Sequence, residues 1–346
     1  MRDFLPDYFS INSNVLRQLK HEDELVIRQI MSIHYESLGG IKSINAFSSL
    51  ERNSNNFKIL TEQGQFVFKR WNYMAESRLK EILDIQLRLS ERNIIVPKPE
   101  SVNDRFFFLD NSGNFISVFR YIDGELYNPS TSNLSSFFHA MSKLFLELKI
   151  LTADKPVHSS FEVSPLRIID FIHGALRNSD FWRSEGLQSE FQALKIIEAK
   201  LSKDLQTFSK FSNKCPIQYS HFDLHPKNVV LTPEFNFGFL DFESCNLLNP
   251  HIAWGFSLIK MLRQAMVDVE PDAPYSEIGR RALVNLGDVE FAKYLDVSML
   301  PISGRFEIAR RLAIILEDHL QNRSKVWFDM LPIQIQLLKE SYILFN

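Results

Sequence analysis

Apolar residues recur at helical spacing at Leu25, Val26, Ile30 and Ile33 and stop at the Gly39-Gly40 pair, predicting a helix late in the first forty residues. From Ser43 the period shortens to two. Residues 44–47, 57–60 and 66–69 read as three short strands in a meander, turning at 51–56 and 61–65. A helical stripe of Leu79, Ile82, Leu83, Ile85, Leu87 and Leu89 then spans 73–92. Residues 106–109 and 115–119 predict a hairpin turning at 110–114. After Ser130 the period is mainly helical: first Leu134, Phe137, Phe138, Met141, Leu144, Phe145 and Leu148, then helices at 165–177 and 187–208 joined by a polar loop bearing Phe181 and Trp182. A strand at 217–220, a polar loop at 221–228 and a hairpin of 229–232 with 237–242 interrupt this pattern. Helices follow from Asn249 and near 276–294, 304–320 and 324–344.

A short-period first third and a helical remainder predict an α+β chain of two lobes. The expected division is 1–120, a helical extension (1–40) and a small mixed sheet (41–120) with one main helix, and 121–346, mostly helical. At 346 residues the chain is long enough for both. Its 45% hydrophobic and 23% charged residues are those of an ordinary globular protein, and a net charge of −3 gives no overall attraction to nucleic acid or an anionic membrane. Thirty phenylalanines argue for aromatic cores. Two cysteines, Cys215 and Cys245, make neither a disulfide framework nor a metal cluster, so a reducing cytoplasm is the expected setting. Cys245, close behind Asp241, reads as a small buried apolar side chain rather than a site residue. The N-terminus lacks the continuous apolar run of a secretory signal, and no stretch has the length of a membrane span.

The chemistry concentrates in His221-Phe222-Asp223-Leu224-His225-Pro226-Lys227-Asn228 and in Leu240-Asp241-Phe242-Glu243. Phosphoryl transfer to a hydroxyl needs a carboxylate that accepts or orients the hydroxyl proton, and oxygens that hold Mg²⁺ against nucleotide phosphates. An Asp, an Asn five residues later and a second Asp after a hairpin match the kinase catalytic order. The second His, the Pro and the LDFE segment resemble the aminoglycoside phosphotransferase and choline kinase-like family of small-molecule kinases more than protein kinases.

The resemblance covers roughly residues 40–260 and implies a two-lobed protein kinase-like fold. It makes Asp223 the base, with His221 bracing its loop, and Asn228 and Asp241 the Mg²⁺ ligands. Lys69, late in the third predicted strand, becomes the phosphate clamp. Glu81 is preferred over Glu76 as its partner on the following helix. Backbone groups of Phe119, Arg120, Tyr121 and Ile122 would hold adenine before the turn at Gly124. His225 matches the family motif or only braces the loop, and Lys227 would face either the phosphates or solvent.

The implied cofactors are ATP, with GTP open, and Mg²⁺. The implied partner is a small-molecule hydroxyl acceptor: an amino sugar or sugar, an aminoglycoside, or a choline-like or homoserine-like alcohol. The loop from Ser48 to Asn56 contains no glycine, which argues against a protein kinase, as does the lack of an APE-like anchor after Asp241. A divergent protein kinase and a catalytically weak nucleotide-binding scaffold are the alternatives. The segment Asp268-Val269-Glu270-Pro271-Asp272, with Glu277, would favour a cationic acceptor if it lined the pocket, and Trp254, Trp327 and Phe328 are candidate stacking surfaces. Gly255 stands where the family usually has an acidic residue that supports the catalytic loop.

Overall fold

The computed structural model describes residues 16–17, 19–47, 54–72, 74–153, 164–267, 269, 274–322 and 327–346. The chain opens with β1 (Leu16–Arg17), α1 (His21–His34), β2 (Ile41–Phe47), β3 (Ser54–Thr61), β4 (Gly64–Trp71) and α2 (Glu76–Glu91). β5 (Phe108–Leu109), β6 (Phe115–Arg120) and β7 (Glu125–Leu126) lead to α3 (Leu134–Thr152), α4 (Pro165–Arg177), α5 (Ser179–Ser184) and α6 (Gln188–Ser212). Next come β8 (Gln218–His221), β9 (Val229–Leu231), β10 (Phe237–Phe239) and β11 (Cys245–Leu248). The helices α7 (Pro250–Ala265), α8 (Tyr275–Gly287), α9 (Leu300–Asn322) and α10 (Leu331–Leu344) finish it. No described helix is long and apolar enough to cross a membrane.

The described residues up to Leu126, with Val229–Glu243, form one compact unit. Its main sheet has the strand order β1-β2-β3-β4-β6-β5, every pair antiparallel. Phe57 faces Phe68, which faces Val118, and Ile59 faces Phe66. Since alternate strand residues share a face, the register gathers one aromatic surface. Ile27, Ile30 and Met31 of α1 complete that core. The hairpin β5–β6 turns where the pattern predicted it. The Asp110 side chain accepts from the amides of Ser112 and Asn114, and Arg70 pairs with its other oxygen at 2.6 Å. A second sheet, β10-β9-β7, joins this unit. β7 follows Gly124, whose φ of +146° and closeness to the Leu231 carbonyl leave no room for a side chain.

Tyr127–Asn228 and Ser244–Asn346 form the second unit. Here α9 packs against α4, α6, α7 and α10, and α3 lies on β8. Several expectations are corrected. The supposed polar loop at Phe181 and Trp182 is α5, and both side chains are buried. The helix expected over 276–294 ends at Gly287, with a 3₁₀ turn at Glu290–Tyr294. The strand expected to reach Phe242 ends at Phe239. The pairing strands β7 and β11 are too short to leave a periodic signal.

Where α7 crosses α9, Gly255 and Gly304 meet backbone to backbone. A Cβ on Gly255 would lie 2.2 Å from the Leu300 carbonyl oxygen and 2.5 Å from the Gly304 nitrogen. A Cβ on Gly304 would lie 2.4 Å from the Gly255 carbonyl oxygen. Gly255 is therefore a packing residue, and an acidic side chain has no space there.

The start of α7 fixes a neutral histidine. His251 is buried; its Nδ1 donates to Asn249 Oδ1 at 2.8 Å, while its Nε2 accepts from the Asp296 amide at 2.8 Å. A proton on Nε2 would face an N–H. Burial pushes its pKa down to about 4, against the opposing pull of the Asp296 carboxylate. The unfolded chain therefore takes up the proton first as pH falls below the ordinary value of about 6.5. Stability from this site is complete above that value and is lost as pH falls toward 4, by about 3 kcal/mol in all. Melting temperatures recorded from pH 7.5 to 5 should fall more steeply for the wild type than for His251→Gln. Equal slopes would refute this assignment.

Candidate active site

The loop that carries Asp223 is built on β8, which pairs antiparallel with β11 so that Cys245 lies opposite His221. His221 therefore belongs to the strand and not to the loop, and its ring is fully buried, as is the Cys245 thiol. Its Nδ1 accepts from the Asp223 amide at 3.4 Å. The same device recurs two residues on, where His225 Nδ1 accepts from the Lys227 amide at 3.3 Å. Asn228 closes the loop: its backbone N–H donates to the His225 carbonyl at 2.8 Å, and its Nδ2 donates to the Asp223 carbonyl at 2.9 Å. That orientation commits the amide nitrogen to the chain and leaves the oxygen as the group available to a ligand.

Asp223 has a cationic partner that the sequence pattern did not expose. Arg311, from α9, places Nη1 3.0 Å from Asp223 Oδ1, and its Nη2 donates to the Phe222 carbonyl at 3.4 Å. Arg311 Nε donates at 2.7 Å to Glu307, a fully buried carboxylate that also accepts two hydrogen bonds from Arg310. Burial raises the Asp223 pKa. Arg311, then His225, His221 and Lys260 more than reverse this and hold the carboxyl at about 2. Arg311, which burial alone would lower, is pushed above its ordinary value by Asp223 and Glu307. The trace of this in the sequence is the charged cluster Arg305, Glu307, Arg310 and Arg311 among the apolar residues of 300–316, where charges are rarely buried unless paired.

The other set of predicted residues lies in the first unit. Lys69, on β4, pairs with the carboxylate of Glu243 and lies 4.0 Å from Asp241 Oδ1; its ammonium also sits 4.4 Å from the Trp71 ring centroid. Glu81 was expected to be the lysine's partner. Lys69 is set against the carboxylate of Glu243, and Glu81 pairs with Arg78, which donates to the Glu243 carbonyl at 3.1 Å. Glu76 pairs with Lys80 on the helix surface. Asp241 has a φ of +60°, a left-handed conformation. Such backbone, held at a cost, is a mark of functional segments, and it also ends β10 early.

In the stretch expected to hold adenine, the Arg120 amide donates to Lys98 and the Tyr121 amide to Gln65. Phe119 is buried within β6, opposite Val67. Ile122 lies beyond these sheet pairings. Most of the glycine-free loop (48–53) and most of the acidic segment (268 and 270–272) lie outside the described residues. Glu277 is partly exposed, and hydrogen bonds from Arg280 and Arg281 hold its carboxyl at about 2. Trp254 is buried and stacked on Phe291, and Phe328 stacks on His319. Of the three aromatic candidates, Trp327 is the exposed one.

A sequence model of the phosphotransferase enzyme family matches residues 43–252, more than half of the chain. The chain belongs to this family. It is a phosphotransferase, with a protein kinase-like fold. A search of curated proteins found no match. Among solved structures, an amicoumacin kinase in complex with AMP-PNP, Ca²⁺ and Ami is 12% identical with a TM-score of 0.64, covering 94% of this chain and 96% of that one. A spectinomycin phosphotransferase with ADP and spectinomycin is 12% identical with a TM-score of 0.59, over 94% and 100%. The ethanolamine kinase of Plasmodium vivax is 15% identical with a TM-score of 0.58, over 95% and 91%. At these identities the likeness is one of fold.

For a phosphotransferase, the arrangement divides cleanly. Asp223 and Asn228 share one braced loop after His221 of β8 in the second unit, and Lys69 and Asp241 share one ion-pair cluster in the first. Arg311, Glu243 and Arg78 are the residues that motif reading left out.

Proposed function

We propose that this phosphotransferase moves the γ-phosphoryl group of ATP to a hydroxyl of a small molecule, with Asp223 as the carboxylate that receives or orients the hydroxyl proton. The observation that carries this is the Asp223 loop, which keeps an ionised carboxylate partly exposed while spending the Asn228 amide nitrogen on its own backbone. In a loose transition state the nucleophile needs little deprotonation, so a weakly basic carboxylate acts chiefly by orientation. His221 braces it.

The donors suit Mg²⁺, a hard cation that takes one or two carboxylates along with phosphates and water. Asn228 would offer its amide oxygen and Asp241 its carboxylate. Bound there, the ion would neutralise charge on the phosphates. Lys69 is then the phosphate clamp, with Glu243 as its partner and Glu81 acting through Arg78. Ile122, past the amides spent in the sheet, would contact the base. Amino sugars, aminoglycosides and choline-like or homoserine-like alcohols are the acceptor classes to screen, in keeping with the amicoumacin, spectinomycin and ethanolamine named for the structural relatives.

A thermal-shift series with ATP and GTP, each with and without Mg²⁺, tests this reading, followed by an acceptor library. A nucleotide at 100 times its Kd should add roughly 2.7 kcal/mol of stability. Asp241→Asn should abolish the Mg²⁺-dependent part of the shift and keep the part due to nucleotide alone. No shift of the wild type with either nucleotide would sink the proposal.

A further inference from the structure

We infer that Arg311 is a positioning residue for phosphoryl transfer, fixing the Asp223 carboxylate so that Oδ2 is the oxygen offered to the acceptor hydroxyl. This rests on Asp223 being the catalytic carboxylate. The guanidinium is held from several sides. Nη1 lies 3.0 Å from Asp223 Oδ1, Nε donates to Glu307 at 2.7 Å, Nη2 donates to the Phe222 carbonyl at 3.4 Å, and the ring of Phe256 on α7 lies 4.2 Å from its carbon. A planar fork engaged in this way has one orientation, which a lysine ammonium would not reproduce.

Glu307 cannot swing away with Arg311, because Arg310 holds both of its oxygens at 2.7 Å. On the other side, Asp223 Oδ1 is fully enclosed although the side chain keeps 21% exposure, so that exposure lies away from Oδ1. His225 Nε2 stands 3.8 Å from Oδ2, beyond hydrogen-bonding distance. Oδ2 is thus the oxygen with capacity left for a substrate hydroxyl. The charged groups facing Asp223 are His221 and His225 from its own segment, Arg311 from α9 and Lys260 from α7, with Glu307 behind Arg311.

The test uses the full chain as wild type, Arg311→Ala, Arg311→Lys and Asp223→Asn. Each is assayed for the Mg²⁺-ATP thermal shift and for ADP formation with the acceptor found by screening or, without one, with water. Arg311→Ala should lose on the order of 10²-fold in kcat, the usual cost of a misplaced group, at an unchanged Mg²⁺-ATP shift. Added guanidinium should restore roughly a tenth or more of that loss to Arg311→Ala and nothing to Asp223→Asn. Arg311→Lys, which keeps the buried charge, should fold and remain well below wild type. Wild-type turnover in Arg311→Ala or Arg311→Lys, or a loss that guanidinium does not touch, would overturn the assignment. An inactive wild type, or an active Asp223→Asn, would overturn the reading of Asp223 itself and is seen in separate lanes.

Discussion

Asp223→Asn is expected to lower kcat by on the order of 10²- to 10⁴-fold while leaving Mg²⁺-nucleotide affinity near that of the wild type. The substitution keeps the shape of the side chain and an oxygen for Arg311 Nη1, so the loop has no steric reason to move. It removes the negative charge proposed to orient or receive the hydroxyl proton. Arg311 does not become an unpaired buried cation, because Glu307 still accepts from its Nε at 2.7 Å. Folding stability should therefore change by much less than when one partner of a buried pair is deleted outright. Lys69 and Asp241, proposed to meet the phosphates and Mg²⁺, belong to the other compact unit and keep their partners. Steady-state kinetics beside a Mg²⁺-nucleotide thermal shift separates the two effects. Unchanged turnover would remove Asp223 from the mechanism.

Gly255→Ala is expected to cost about 3 kcal/mol or more and to lower the Tm by roughly 5 °C or more. The added methyl would overlap the Leu300 carbonyl oxygen and the backbone of Gly304, and backbone cannot step aside as a flexible side-chain tip can. The helices must separate or slide. Gly255→Asp should be worse, since it also buries a charge. The effect should reach the site, because α7 carries Phe256 and Lys260 while α9 carries Glu307 and Arg311. Activity measured well below the Tm should therefore fall along with stability. A variant as stable as the wild type would refute the close crossing of α7 and α9. Gly255 is thus a packing residue, and the loop that carries Asp223 is held by Arg311 of α9.

The legible parts of the fold were those with a long, consistent period. The meander β2–β3–β4, the helix α2 and the helices α3 and α4 each bury a regular face, and that face is written in the spacing of their apolar residues. β7 and β11, of two and four residues, carry no such period; they exist because partner strands satisfy their backbone groups. α5 was mistaken for a loop because its polar residues outnumber Phe181 and Trp182, whose burial is a tertiary matter.

The sequence by itself determined the family, the order of Asp223, Asn228 and Asp241, and the lysine on β4, since these depend on short spacings along one strand or loop. Only the tertiary structure decided which carboxylate meets Lys69, which cation holds Asp223 and why Gly255 is a glycine. Glu243 is distant from Lys69 in the chain, and Arg311 from Asp223. Contacts of that separation are set by where whole helices and strands pack, and residue periodicity reports only that an element has a buried face, not which charge waits on the other side.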